Sequence, residues 1–180
     1  MLTEINTRLV KVLATRHPEF RDVDRHPGRM TVDDIKRVAA FSPALRIGPF
    51  GKISTQKLAN GELELSVPFA AAVITNEVGL LESQDMAIKL AAAVSRTLPG
   101  FAPGMANEDD NWPAMPGVGL CQDVAIDIAA GTELEDDGIA LWAVLFKVCV
   151  TIGEDLAFAE ATAAVDLEFS GRIDPTEVDV

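Results

Sequence analysis

The chain of 180 residues has no tyrosine, two cysteines and two histidines. It also has no apolar run approaching the roughly 20 residues a helix needs to cross a bilayer. Each shortage excludes something. Cys121 and Cys149 cannot make a disulfide framework, and both stand in apolar, strand-like runs where a free thiol packs as a small hydrophobe, which points to a reducing compartment. His17 and His26 are each followed by proline, without a spaced set of Cys, His or carboxylate around them, so no metal centre is expected. The start, "MLTEINTRLVKVL", already carries Glu4 and lacks the basic region, continuous apolar stretch and small-residue cleavage site of a secretory signal. The expectation is a soluble protein made in the cytoplasm, with no membrane contact.

Positive charge is the other scarce commodity: 15 Lys and Arg stand against 28 Asp and Glu, for a formal net charge of −13. It is unevenly placed. Residues 1–60 hold eleven Lys/Arg and six Asp/Glu, and residues 61–180 hold four and twenty-two. That disfavours sequence reading of DNA by the bulk of the chain, because replacing phosphate counterions takes Lys or Arg. It suits head-to-tail association, the basic end of one copy meeting the acidic side of the next.

Catalytic signatures are equally thin. In "GPFGKIST" the positions that a phosphate-cradling loop gives to its first glycine and to Ser or Thr after Gly-Lys hold Arg46 and Ile53, and no helical pattern follows. "NEDDN" and "ELEDDG" lack the alternating oxygen ligands of a calcium loop. There is no Gly-x-Ser-x-Gly elbow, and neither cysteine stands at an activating helix start. Asp123 and Asp127 share the polar face of a strand, where solvation is the simpler role. No enzymatic activity and no cofactor are expected.

What is present is architecture. Leu2, Ile5, Leu9, Val12 and Leu13 share one helical face while Glu4, Arg8 and Lys11 share another, and Pro18 ends the pattern. In "TVDDIKRVAAF" Thr31 can cap a short helix whose first turn carries Asp33 and Asp34. From Ala44 to Thr75 the signals turn to strand, with Asn60-Gly61 marking a hairpin; Pro68 requires a bend, a bulge or an edge. Ser83 can cap a second long helix along which Met86, Leu90, Val94 and Leu98 recur, with Ala87 and Ala91 allowing close packing on a sheet, and Pro99-Gly100 closes it. "FAPGMANEDDNWPAMPGVG" reads as a long Pro/Gly-rich loop, of a length usually kept for contacts.

In "LCQDVAIDIAA", Leu120, Val124, Ile126 and Ile128 alternate with Cys121, Asp123, Ala125 and Asp127, as in a half-buried strand. In "GIALWAVLFKVCV", Trp142, Val144, Phe146, Val148 and Val150 form one face and Leu141, Ala143, Leu145 and Cys149 the other, predicting a central strand covered on both sides. Residues 156–169 are ambiguous between helix and strand, and the last residues read as an exposed acidic tail. The fold class expected is α+β, a mainly antiparallel sheet with amphipathic helices on one face, in a domain of residues 1–155 followed by an extension, 156–180.

The order helix, hairpin strands, Ala/Val strand, alanine-rich helix and two antiparallel strands resembles the tail-terminator, or tail-completion, proteins of Mu-like tailed phages. The residues that carry the likeness are "MLTEINTRLVKVL", "VPFAAAVITNE" with "SQDMAIKLAAAVSRTL", and the pair "CQDVAIDIAA" and "DDGIALWAVLFKVCVTIG", over about residues 1–155. The resemblance implies a virion structural protein at the tail–neck junction. It would form a homohexameric ring that caps the finished tail tube and later receives the head–tail connector or adaptor, working by binding alone.

Partners implied are further copies of the chain, the tail tube protein, a sheath, and the connector. Exposure and length single out the hairpin Lys52–Ser66 and the loop Phe101–Gly119 as contact segments, with Lys52, Lys57, Asn60, Glu62, Glu64 and Trp112 as interface candidates. Glu133, Glu135, Asp136 and Asp137 are candidates to face a channel through which DNA slides without sequence-specific binding. Two other readings stand beside this one: a head-completion or adaptor protein of the neck, and a small cytoplasmic enzyme or ligand-binding domain with no legible site.

Overall fold

In the computed structural model the described residues are 1–26, 30–59, 61–77, 79–107, 111–129 and 132–153. The expectations for residues 154–180 and for Asn60 lie outside them. In chain order the elements are α1 (Leu2–Arg16), β1 (Asp22–Arg25), α2 (Val32–Ala39), β2 (Ala44–Pro49), β3 (Ser54–Lys57), β4 (Leu63–Asn76), α3 (Leu80–Thr97), β5 (Val118–Ile128), α4 (Thr132–Glu135) and β6 (Ile139–Ile152). The class is α+β: a mixed sheet of six strands with four helices packed against it.

The sheet grows from one long pairing. β4 and β6 run antiparallel without a register break from Leu63↔Ile152 to Asn76↔Ile139. Both strands are rich in β-branched and aromatic residues, which suit a pleated surface buried on at least one side. β5 adds to the outside of β6; β2 and β3 share the other side of β4, and β1 pairs with β2 in parallel. Pro68 falls where the partner of β4 changes from β3, whose first residue Ser54 is opposite Ser66, to β2, whose last residue Pro49 is opposite Phe69. The Pro68 carbonyl accepts from Phe50 N–H at 2.9 Å on that side. A strand residue's N and O point to the same edge, so the N–H that proline lacks falls in the gap between two partners and costs no ladder bond.

One face of the sheet carries the main core. Val67, Phe69, Ala71 and Val73 of β4 and Val144, Phe146, Val148 and Val150 of β6 meet Ile5, Leu9 and Leu13 of α1 and Ala87, Ala91 and Val94 of α3. Phe69 and Phe146, register partners, stack with centroids 5.6 Å apart. His17, just past α1, ties the helices together: its Nε2 lies 2.9 Å from Thr97 Oγ1 and its Nδ1 3.1 Å from Glu19 Oε1.

The side chains that α3 buries are Ser83, Ala87, Ala91 and Val94, with Leu98 just after it, whereas Met86 and Leu90 are half-buried at its flanks. The small residues set the contact because they let the helix axis come close to the pleat. Trp142 is half-buried under α3 and donates its indole N–H to Gln84 Oε1 at 2.7 Å.

Four sequence expectations need correction. Ser83 does not cap α3; the helix starts at Leu80 after an extended Gly79. Ser83 instead holds the end of β4 against the helix, its hydroxyl accepting from Glu77 N–H at 2.8 Å and its carbonyl from Thr75 Oγ1 at 2.7 Å. The helices do not all share one face: α2, where Thr31 caps as expected and Asp34 completes a capping box, packs with α4 on the opposite face around Ile35, Ala39, Ile74, Leu134 and Leu141. This short pair covers only one end of that face, so β6 is central but Ala143, Leu145 and Cys149 are half-exposed there.

β5 does not keep the expected alternation. Register shifts between Val118 and Cys121 and between Gln122 and Ala125, with Asp123 in the left-handed region at φ 52°, turn its side chains out of phase. Leu120, Ile126 and Ile128 are exposed and Cys121 is buried.

Phe146→Ala should destabilise the domain by about 3–5 kcal/mol, since the ring is 2% exposed and the stacked Phe69 cannot collapse into its volume. Urea titration followed by circular dichroism measures it; a loss under 1 kcal/mol would contradict the assigned core.

Candidate functional site

Residues 98–117 connect α3 to β5, and the placement of the described ones, 98–107 and 111–117, depends on one side chain. Arg8, on the α1 face that reads as solvated, is 1% exposed. Its Nη1 donates to the carbonyls of Pro103 at 3.1 Å and Met105 at 3.3 Å, its Nη2 to that of Pro113 at 2.7 Å, and its Nε to Glu4 Oε1 at 3.0 Å. A guanidinium presents five donors in a rigid fork, so one group satisfies carbonyls from both limbs of the loop. Pro103, Pro113 and Pro116 leave this segment with fewer N–H than C=O groups, so some donors must come from outside it. That excess of acceptors is the one sequence signal for Arg8, and it does not say which cation answers it.

The loop has its own ties. Asn107 and Trp112 exchange backbone bonds of 3.1 and 2.8 Å, and Met115 N–H donates to the Gly104 carbonyl at 2.7 Å. The Trp112 ring lies under two cations, with the Arg8 guanidinium carbon 5.3 Å and Lys11 Nζ 5.4 Å from its centroid, inside the range of a cation–π contact. Trp112, expected as an interface candidate, is thus also an internal clamp, half-exposed at its rim. Gly117, at φ 78°, passes so close to β6 that a Cβ would stand 2.2 Å from the Thr151 carbonyl oxygen. Only glycine fits there.

Thr151 N–H in turn donates to the Gly117 carbonyl at 2.7 Å, and Thr151 is the register partner of Glu64. The structure therefore brings the loop and the β3–β4 hairpin, far apart in sequence, to the same end of the β4–β6 ladder. Lys57 is exposed there, opposite Leu63, and Glu62 and Glu64 are half-buried where β4 begins; Lys52, also exposed, stands nearer the middle of β4, just after the Gly51 that lies beside Pro68. The acidic candidates lie at the other end, roughly 40 Å away at about 3.3 Å per strand residue. Glu133 and Glu135 belong to α4, and Asp136 and Asp137 to the turn after it. They are not a bare negative patch: Lys36 of α2 reaches Asp137 Oδ2 at 2.7 Å and Glu133 Oε1 at 3.8 Å, and these carboxylates raise the ammonium pKa.

Among the described residues no group of three His, Cys, Asp or Glu is placed to hold a metal ion, and no helix is long and apolar enough to cross a membrane. The half-covered face of the sheet has an open hollow of about 460 Å³ whose lining includes Phe50, Ala70, Ala72, Leu141, Ala143 and Leu145. His26 is the titratable group at its margin, its pKa lowered by burial and then by Arg46. Both cysteines are free. Burial pushes the Cys121 thiol up to about 12, which removes it as a nucleophile near neutral pH. No family model matches the chain, and no curated protein matches it.

Two outcomes follow for these residues. Arg8→Ala should cost about 1–3 kcal/mol in urea unfolding, from buried carbonyls left without donors, and should open residues 101–115 to chymotrypsin while the rest stays protected; Arg8→Lys should restore only part of this, since an ammonium cannot reproduce the fork. In the folded protein at pH 8, iodoacetamide should modify Cys149 before Cys121, and Cys121 should react only after denaturation, as mass spectrometry of the peptides would read. The raised Cys121 pKa also means its contribution to stability is complete below the ordinary thiol value of 9.0 and lost as pH rises towards about 12.

Proposed function

We propose that this chain is the ring-forming subunit that caps the tube of a phage tail or phage-tail-like particle, ends its elongation and offers the surface to which the head joins. The observation that carries the reading is the polarity of the subunit. Two contact segments, the hairpin and the loop pinned by Arg8, are gathered at one end of the long strands, and the carboxylates of α4 and its turn stand at the other. A subunit that joins two unlike partners along one axis needs two chemically different ends. A broad head-to-tail contact between copies also fits the basic first third and acidic remainder. The ring, the tube and the virion are what the resemblance described above adds.

In this reading the hairpin–loop end docks on the tube, and the acidic turn lines a passage that repels DNA enough for it to slide. Lys36 offsets part of that repulsion at Glu133 and Asp137. The open apolar hollow beside Phe50 favours one other reading, a domain that takes a small apolar ligand.

Electron microscopy of the purified protein mixed with its tube protein tests the proposal. Rings should sit on tube ends and tube growth should stop. Reversing charge at Lys52 and Lys57 should weaken that binding while leaving the melting temperature unchanged, and the wild-type interaction should fade with added salt. A protein that stays off tube ends under all these conditions contradicts it.

A further inference from the structure

The two sides of the sheet end in edges of unlike chemistry. β5 forms one. Its first half is closed from outside by the loop, with Cys121 N–H donating to the Phe101 carbonyl at 2.8 Å and a Cβ on Gly104 standing 2.6 Å from that of Val118. From Gln122 onward, among the described residues, the backbone pairing of β5 is with β6 alone. Ile126 and Ile128 are 39% and 57% exposed there, with the exposed Asp123 and Asp127 alongside. An unpaired edge that shows isoleucines to water is a template for another strand, and its aspartates select which one.

Two strands on the far side of the sheet could answer. β1 reads Asp22-Val23-Asp24-Arg25 and would set carboxylates against Asp123 and Asp127, which destabilises a cross-strand pair. β3 carries no carboxylate. Its four side chains are all exposed, Lys57 ends it, Lys52 stands just before it, and the adjoining Ile53 is 39% exposed.

We propose that residues 122–128 of β5 pair with β3 of a second copy of this chain, so that one sheet runs on from subunit to subunit. The inference rests on the ring reading for closure and goes beyond it in naming the contact. The strand senses agree: β3, β4, β6 and β5 alternate in direction, and a rotation of a sixth of a turn keeps each strand's sense, so a neighbour's β3 meets β5 antiparallel and the alternation continues. β5 and β3 are different surfaces, so the contact is heterologous and each copy offers one of each. β3 is level with the start of β5, while the open half lies about seven residues farther on, on the order of 23 Å. Neighbouring copies therefore step along the strands, and the strands incline to the ring axis as staggered strands do in barrels.

Light scattering at low salt on the wild type, Lys57→Glu, Asp127→Lys, the double variant and Ile128→Ser tests this, with circular dichroism confirming that each is folded. The wild type should exceed the monomer mass. Each single variant should associate roughly fivefold more weakly, and the double charge reversal should recover association. Amide exchange over residues 124–128 should slow as the wild type associates. A wild type that is monomeric at every concentration, or association indifferent to all these substitutions, overturns the edge pairing. Tube-end binding, measured in parallel, keeps the two ideas separable: capping that persists in either case leaves the terminator reading standing and removes only the β5–β3 contact.

Discussion

A guanidinium removed from water has to find acceptors for its donors, and in this chain those acceptors are the carbonyls of the loop between α3 and β5. Arg8 reaches Pro103, Met105 and Pro113 from the middle of α1, and its plane lies against Trp112. The helix and the loop thus order each other, since neither the charge nor the carbonyls would be stable in their present burial without the other. The remaining constraints follow from that contact: the loop approaches the start of β5, Gly117 passes against Thr151, and the hairpin opposite Thr151 comes to stand beside the loop.

The long β4–β6 ladder converts this local order into a molecule with direction. Because the pairing has no register break, whatever is fixed at Leu63 and Ile152 is held at a set distance from whatever is fixed at Asn76 and Ile139. Helix α3 packs along β4 and β6 on the main face and α1 beside it over β1 and β2, with alanines allowing close approach and the Phe69–Phe146 stack at the centre of the ladder. The other face is covered only where α2 and α4 meet. A chain built this way has a long continuous ladder, a loop and hairpin turn at one end of it, an acidic turn at the other and two unlike sheet edges.

Much of this frame was legible beforehand, for identifiable reasons. α1, the Thr31 capping box, the strand of Trp142 to Val150 and the alanine-faced α3 each follow from periodicity or capping within a few residues of chain. What escaped depends on distant partners. β1, with two aspartates in four residues, is a strand only because β2 lies beside it and Arg46 meets Asp22. The alternation of β5 is broken by bulges whose cost and benefit lie in β6 and the loop. Arg8 looks like any solvated arginine four residues after a glutamate, because its partners are about a hundred residues away. Of the candidate contact residues, Lys52 and Lys57 are exposed as expected while Glu62, Glu64 and Trp112 are half-buried, and sequence could not show that the hairpin turn and the loop come together, nor that Lys36 partly neutralises the acidic turn.

The claim on which the account turns is that the hairpin and the Arg8-pinned loop form one docking surface, separate from the acidic turn. Hydrogen–deuterium exchange of the ring with and without tube protein measures that directly. Protection should rise together over residues 52–66 and 101–119 and leave residues 132–137 unchanged. Protection confined to 132–137, or rising in the hairpin with none in the loop, would contradict it.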